Sequence, residues 1–406
     1  MSNPTVLEVL LHGQRVGTLT RFDGDRSLFA FDQAYADNEA RDTLSLSFKA
    51  ATGELLTDTR PTQRRLLPFF ANLLPEAEMA KYLAERAGVH PQREFFLLWV
   101  LGQDLPGAIT VRPLDGDTLP PAASEAARER RLKEPALRFS LAGVQLKFSA
   151  VAAATGGLTI PATGTGGSWI VKLPSQKFRL VPQNEFAMMT LARDVGIDVP
   201  EFKLVKTAEI DGLPRGMGRL EPTSYAIKRF DRLSKGVKPH IEDFAQVFGV
   251  YPDDKYKRAS YANIAAVIAA EAGSDAAAEF VRRLVFNVLI GNADMHLKNW
   301  SLIYPDRRTA ALAPAYDFVS TVAYLEDEKL ALNVATTKKF AEVDREEIAA
   351  FARKARLPQK HTLYVAAETV ERFHAAWRKR KSALGLPKVT IAGIEANVKR
   401  VPLAKG

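Results

Sequence analysis

Apolar and polar positions alternate from about residue 5 to 31, the two-residue period of half-buried strands, with a break at His12-Gly13-Gln14 that separates 6–11 from 15–20 as a hairpin. The period then lengthens. Residues 61–70, 75–87 and 92–101 repeat apolar side chains at helical spacing, each with proline at or near its start, and predict three helices. Residues 108–112 return to a strand. From 115 to 136 the composition shifts to Pro, Ala, Glu and Arg, which marks a charged, exposed boundary. Beyond it, 137–149 begins and ends as a strand around Gly143, 155–167 is a Gly/Thr-rich hairpin region, and 169–174 reads as a buried strand. A helix opens at Asn184-Glu185, with Met188, Leu191 and Val195 on one face and Gly196 past its end. Strands over 202–205 and 224–230 follow, the second apolar at its entry and charged at its exit. After about residue 232 the spacing is helical over 241–248, 261–272 and 276–289, with a short strand at 300–304 and mostly helix after Asp317. No internal repeat is present.

The stretch 286–300, with 313–318, carries the chemistry. Its apolar helical run breaks at Gly291-Asn292, and Asp294, His296, Lys298 and Asn299 crowd into the next positions. Asp294 and Asn299 have the D-x-x-x-x-N spacing of a phosphoryl-transfer loop, where a carboxylate receives the nucleophile's proton and an amide oxygen reaches magnesium. Asp317-Phe318 supplies the second acid. A hard divalent cation takes oxygen ligands and keeps several waters, so one carboxylate, one amide and nucleotide phosphates suffice. Helix caps and turns use the same residue types, and it is the order of parts that favours a kinase: a glycine-containing phosphate loop, a strand lysine, a helix acid, a hinge, a base loop and a metal acid.

Each of the earlier parts has a plainer alternative. Gly143 allows backbone to approach phosphate, or marks a bulged strand. Ser140 beside it has a hydroxyl that could accept phosphate, whose added charge would disfavour nucleotide binding. Lys172 lies amid apolar strand residues, where a nucleotide phosphate or a carboxylate would match its charge; the alternative is an edge-strand lysine. Glu185 near the helix start favours the dipole, and it is also where a kinase carries the acid that pairs with its strand lysine.

Composition narrows the setting. The chain of 406 residues is 47% hydrophobic and 25% charged, an ordinary globular balance sufficient for roughly two or three domains. It contains no cysteine, which excludes disulfides, thiolate zinc sites and cysteine nucleophiles and suits a reducing compartment, the cytoplasm. No signal-like start or membrane-length apolar run is seen. A net charge of +9 favours polyanionic partners. The densest basic run, 378–381, is either a helix end favoured by the macrodipole or a nucleic-acid contact.

The chain resembles HipA-family serine/threonine kinases, the toxins of type II toxin–antitoxin pairs. The resemblance covers nearly the whole length and is carried by LPFFANLLPE (67–76), FSLAGVQLK (139–147), IVKLP (170–174), Asn184-Glu185, RFDR (229–232), DFAQVFG (243–249), LIGNADMHLKN (289–299) and LAPAYDF (312–318). It implies an α+β, bilobed protein-kinase-like fold of the PI3/4-kinase type: an N-terminal subdomain over 1–115, a linker over 116–136, a kinase N-lobe over 137–232 and a largely helical C-lobe over 233–406. It further implies Asp294 as catalytic base, with Asn299 and Asp317 holding Mg²⁺ and Lys172 reaching the ATP phosphates. Ala142, Gly143, Val144, Gln145, Leu146 and Lys147 would form the phosphate loop, and Lys228, Arg229 and Phe230 the adenine hinge. His296, Leu297, Lys298 and Asn299 with Tyr316, Asp317, Phe318 and Val319 would complete the nucleotide pocket. Ser140 matches the family's autophosphorylated serine, whose modification silences the kinase. Leu146 departs from the family by replacing an acidic residue, and Lys228 stands where an acid can occur.

The resemblance also implies a protein substrate, typically an aminoacyl-tRNA synthetase such as the glutamyl or tryptophanyl enzyme. Its phosphorylation would slow translation and arrest growth, the behaviour associated with persistence. A small helix-turn-helix antitoxin, HipB-like, would hold the kinase and place it on operator DNA; no membrane partner is implied. Two other readings use the same residues: a small-molecule phosphotransferase, since antibiotic and sugar kinases share the D-x-x-x-x-N spacing, and a catalytically dead DNA co-repressor. The full set of Lys172, Asp294, Asn299 and Asp317 argues against the last.

Overall fold

The alternating run at the N-terminus folds as an antiparallel meander, β1 (Thr5–Leu11), β2 (Gln14–Phe22) and β3 (Arg26–Phe31). The first turn needs positive φ at His12 (50°) and Gly13 (79°), the backbone that two-residue hairpins favour and glycine accepts without a Cβ clash. The structure is a computed structural model and describes residues 5–114, 146–152, 158–160, 166–213, 221–325 and 329–405. After α1 (Gln33–Ala36), a two-residue β4 (Thr62–Gln63) extends the sheet beside β3.

Next come α2 (Pro68–Ala71), α3 (Ala77–Ala87) and α4 (Glu94–Leu101), and then β5 (Ile109–Pro113), which pairs with β1 to give the order β4-β3-β2-β1-β5. The helix expected over 61–70 is confined to its last turn. Leu67 precedes a proline, whose ring pushes it to extended backbone (ψ 146°), so no helix can run through to Pro68. Leu7, Val9 and Leu11 of β1 are buried against Phe69, Phe70 and Phe96, and this part has its own apolar core.

A second sheet contains β6 (Lys147–Ala152), β7 (Leu158–Thr159) and β8 (Trp169–Lys172). After α5 (Val181–Val195) it is joined by β9 (Phe202–Lys206), β10 (Ile210–Asp211) and β11 (Thr223–Lys228), in the order β10-β7-β6-β8-β11-β9. The helix starts at Val181, with Pro182 in its first turn, so Glu185 lies one turn further in than the sequence suggested.

The remainder is built round a helical element that is interrupted at Gly273 (φ 87°, ψ 179°), between the two helices expected over 261–272 and 276–289. β12 (His240–Asp243) leads into α6 (Phe244–Val247), and then α7 (Tyr261–Ile290) runs to the candidate base loop. The helix expected over 241–248 is thus half strand. Asp243 accepts from the Gln246 amide at 2.9 Å while the Gln246 side chain accepts from the Asp243 amide, a reciprocal cap that fixes the helix start after Asp243. β13 (Ser301–Tyr304) pairs with β12 and with β14 (Ala311–Leu312). Helix resumes only at α8 (Arg345–Lys354), followed by α9 (Gln359–Arg380) and α10 (Lys388–Arg400), so the described residues between 317 and 344 are not the helical run expected. The main core gathers α5, α7, α8 and α9. Within the basic run, Arg380 pairs with Asp194 at 2.7 Å and Lys381 with Glu395 at 2.7 Å. No described helix is long and apolar enough to cross a membrane.

Candidate active site

The last turns of α7 aim the candidate base loop. Gly291 caps the helix at φ 67°, where a Cβ would also lie 2.5 Å from the Val322 side chain, so the position is closed to other residues on two counts. The Asn292 side chain donates to Asn287 Oδ1 at 2.8 Å and accepts from the Asp294 amide at 3.1 Å. Thr321 accepts from the Ala293 amide at 2.9 Å and donates to Gly291 O at 3.1 Å. Asp294 is therefore held by its main chain on both sides while its side chain is exposed. Tyr256 donates to its Oδ1 at 2.5 Å.

Strand register sets the cationic side of the site. Lys172 lies opposite Lys147 on β6 and opposite Tyr225 on β11, so the three side chains share a sheet face. Lys172 is buried and pairs with both Glu185 of α5 and Asp317. Lys147 reaches Asp317 at 3.3 Å, and the Asn299 amide donates to Asp317 Oδ2 at 3.2 Å. Two ammonium groups thus face two carboxylates. Asp317 itself has φ of 59°, a left-handed backbone that costs a non-glycine residue roughly 1 kcal/mol and is tolerated where the surroundings impose it.

The electrostatics follow from this packing. Burial pulls the Asp317 carboxyl up, but Lys147 and Lys172 outweigh it and hold it well below the usual range. Burial opposes the Lys172 charge, yet Asp317 and Glu185 keep its pKa above the ordinary value. Glu185 is raised, by burial and by Asp317 nearby, against the pull of Lys172. Asp294 is also raised: burial of its surroundings dominates and Asp317 adds to it, against the Tyr256 hydrogen bond, Lys255 and Lys147. Burial, then Lys255, lowers His296 to about 3, so its imidazole is neutral at ordinary pH.

A hard cation fits one corner. Asn299 Oδ1 is a buried acceptor with no hydrogen-bond partner among the described residues, beside an ionised Asp317 carboxylate. Among the described residues no group of three or more His, Asp or Glu could hold a metal, so waters and substrate phosphates would supply the other ligands. His296 Nδ1 is likewise buried without a partner among them and is available to a bound molecule.

The other expected residues divide. Ser140, Ala142, Gly143, Val144 and Gln145 lie outside the described residues. Leu146 is buried, and its carbonyl accepts from the Leu173 amide at 2.9 Å. In the expected hinge, the Lys228 amide donates to Glu201 O and the Arg229 amide to Ser168 O, each at 2.8 Å. The Lys228 ammonium pairs with Glu201 at the surface, and the Arg229 guanidinium is buried against Asp231 and Asp104. The Phe230 ring stands 5.8 Å from Tyr316, whose hydroxyl donates to Lys298 O at 3.0 Å. Leu297 and Phe318 are core, and Val319 is half-buried. The Lys298 ammonium turns to Asn72 O at 2.9 Å and Glu76 at 3.2 Å.

Three contributors are not among the site residues expected from the sequence, although Glu76 and Arg232 lie in the segments 67–76 and 229–232 that carry the family resemblance. Tyr256 touches Asp294, Glu76 bridges Lys298 and Lys255, and Arg232 locks Asp104, Leu105 and Gly107 against the exit of β11. An aromatic residue in a loop dense in aromatic and basic side chains is the only hint at Tyr256.

Residues 7–112 match the HipA N-terminal domain and residues 139–377 the HipA-like C-terminal domain. A Sinorhizobium fredii protein that carries a kinase name, Y4dM, is 55% identical over 99% of this chain and 98% of its own. The serine/threonine-protein kinase toxin HipA of Shewanella oneidensis is 28% identical over 70% of this chain and 69% of its own. The Shewanella oneidensis MR-1 toxin–antitoxin complex of HipA, HipB and operator DNA superposes with a TM-score of 0.72 at 23% identity, covering 98% of this chain and 96% of that one. The fold is accordingly the α+β, kinase-like fold.

Proposed function

The chain belongs to the HipA family of kinases, and on that premise we propose that it transfers the γ-phosphoryl group of ATP to a serine or threonine hydroxyl of a protein, acting as a growth-arresting toxin. The observation that carries this reading is the meeting of Lys172, Glu185, Asn299 and Asp317 in one cluster, with Asp294 on the same loop as Asn299. An aminoacyl-tRNA synthetase is the proposed substrate, a HipB-like helix-turn-helix protein the proposed antitoxin, and operator DNA the proposed target of their complex. Ser140 is the proposed site of silencing autophosphorylation, and the cytoplasm the proposed location.

In this reading Asp294 orients the acceptor hydroxyl and takes its proton as the new P–O bond forms, and the γ-phosphoryl leaves ADP. Its raised pKa brings it nearer the working range of a general base. Lys172 and Lys147 turn from Asp317 towards the phosphates and offset their charge. Asn299 Oδ1 and Asp317 are the groups that would hold Mg²⁺, which when bound neutralises charge developing on the phosphates. Neutral His296 and the Tyr316 and Phe230 rings border the nucleotide. Positioning does most of the work in such transfers.

The test is transfer of label from γ-labelled ATP into a dephosphorylated protein lysate by the purified chain and its Asp294→Asn form. Label on a synthetase-sized protein that is lost with Asp294→Asn supports the proposal. Label confined to a small metabolite, or equal labelling by both forms, would sink it.

A further inference from the structure

We propose that Tyr256 is a positioning residue for transfer: its hydroxyl occupies Oδ1 of Asp294 and leaves the other carboxylate oxygen for the substrate hydroxyl. This inference rests on the reading of Asp294 as the base.

Tyr256 follows the short turn Pro252–Asp254 in the segment between α6 and α7, and it is 39% exposed. An exposed tyrosine ordinarily samples solvent, but this one is fixed from several sides. Its hydroxyl donates to Asp294 Oδ1 at 2.5 Å, and its ring meets His296 edge-on at 5.0 Å and 85°. The Lys255 ammonium lies 5.7 Å from the ring centroid, and Lys338 donates to the Tyr256 carbonyl at 3.2 Å. Lys255 is in turn anchored to Glu76 at 2.6 Å.

The need for such a partner follows from the carboxylate. Rotation about the last bond of an aspartate is broad and roughly two-fold, so a main chain held on both sides does not by itself present one oxygen. Among the described residues Oδ2 of Asp294 has no hydrogen-bond partner, and Tyr256 is the one that holds Oδ1. A phenol is a much weaker acid than a carboxyl, so the proton stays on tyrosine and the bond favours ionised Asp294. Other groups act on the same carboxylate: Lys255 from the Tyr256 segment, Lys147 from β6, Asp317 after β14 and Tyr261 at the start of α7. Among the described residues Tyr256 is the one that bonds to it directly, so it can set the orientation of the oxygens as well as their charge.

The experiment compares the full-length chain with Tyr256→Phe and Asp294→Asn, using label transfer from Mg-ATP into dephosphorylated protein lysate and binding of a fluorescent ATP analogue. Tyr256→Phe should lower kcat about tenfold, the worth of one charge-assisted hydrogen bond, with KM for Mg-ATP unchanged. The acidic limb of its rate profile should move to higher pH. A wild-type rate and profile in Tyr256→Phe, with Asp294→Asn inactive, overturns the role of Tyr256 alone; faster turnover does the same and makes the side chain a blocker. Full activity in Asp294→Asn removes the base reading instead. Should Tyr256→Phe also lose nucleotide binding, Tyr256→His decides, because it keeps a ring N–H donor: recovery of transfer above the Phe level supports the proposal, and no recovery overturns it.

Discussion

Lys298, next to Asn299 on the base loop, donates from Nζ to the main-chain oxygen of Asn72 at 2.9 Å, across a sequence separation of 226 residues. The same ammonium lies 3.2 Å from Glu76 and 3.7 Å from Asp243, and Glu76 also holds Lys255 at 2.6 Å. The corner between α2 and α3 therefore supports both the base loop and the segment bearing Tyr256. The N-terminal part is thus a structural component of the candidate site.

Loss of that support is testable at Glu76. Burial raises its carboxyl, but Lys298 and Lys255 outweigh burial and hold it below the ordinary value. A depressed carboxylate stabilises the fold above its unfolded pKa and loses that contribution as pH falls through the folded one. Glu76→Gln should therefore cost about 1 kcal/mol at pH 7, a figure discounted for partial exposure, and lower kcat more than it changes KM for ATP. Urea melts at pH 7 and below pH 4 should show the difference shrinking in acid.

Asp294→Asn keeps the size of the side chain and can still accept from Tyr256 through its amide oxygen. Transfer should fall by about 10²–10⁴-fold while nucleotide affinity holds. Single-turnover kinetics with γ-labelled ATP, alongside equilibrium nucleotide binding, separates the two effects.

Asp317→Ala removes the carboxylate shared by Lys147, Lys172 and the Asn299 amide. Magnesium-dependent ATP affinity should drop by about a hundredfold, a ligand counting for at least as much as the groups that orient it. Titration of ATP with and without magnesium checks this, and an unchanged magnesium-dependent affinity is the outcome that contradicts it.

Glu242 sits at a second junction between the two halves. It accepts from Ser45 Oγ at 2.6 Å, the Leu46 amide at 3.0 Å and the Tyr304 hydroxyl at 2.5 Å, and burial pushes its pKa up to about 7 in spite of them. A carboxyl raised in the folded state binds its proton there more tightly than in the unfolded chain, so its contribution falls as pH rises from about 4.5 to about 7. The stability of wild type relative to Glu242→Gln should therefore decrease by about 3 kcal/mol between pH 4 and pH 8. Chemical denaturation of both forms across that range measures it, and a constant difference would exclude the effect; the buried His240 titrates in both forms and cancels.

The sequence alone determined what depends on near neighbours. The β1–β2 hairpin, the two helical stretches of α7 that meet at Gly273 with the glycine stop after the second, and the D-x-x-x-x-N spacing of Asp294 and Asn299 are written in two-, four- and five-residue relationships, because strand alternation, helix turns and caps are local. The proline rule that confines α2 to 68–71 and the Asp243–Gln246 cap that splits 240–247 were also local, but the apolar spacing of those stretches masked them. Only the tertiary structure decided which partners the long polar side chains took. Register brought Lys147 beside Lys172, chain closure brought Asn72 and Glu76 under Lys298, and packing of the 250–260 segment put Tyr256 on Asp294. A flexible cationic or phenolic side chain carries no periodicity that names its partner, and the energy of such a contact exists only once distant elements have been fixed in place.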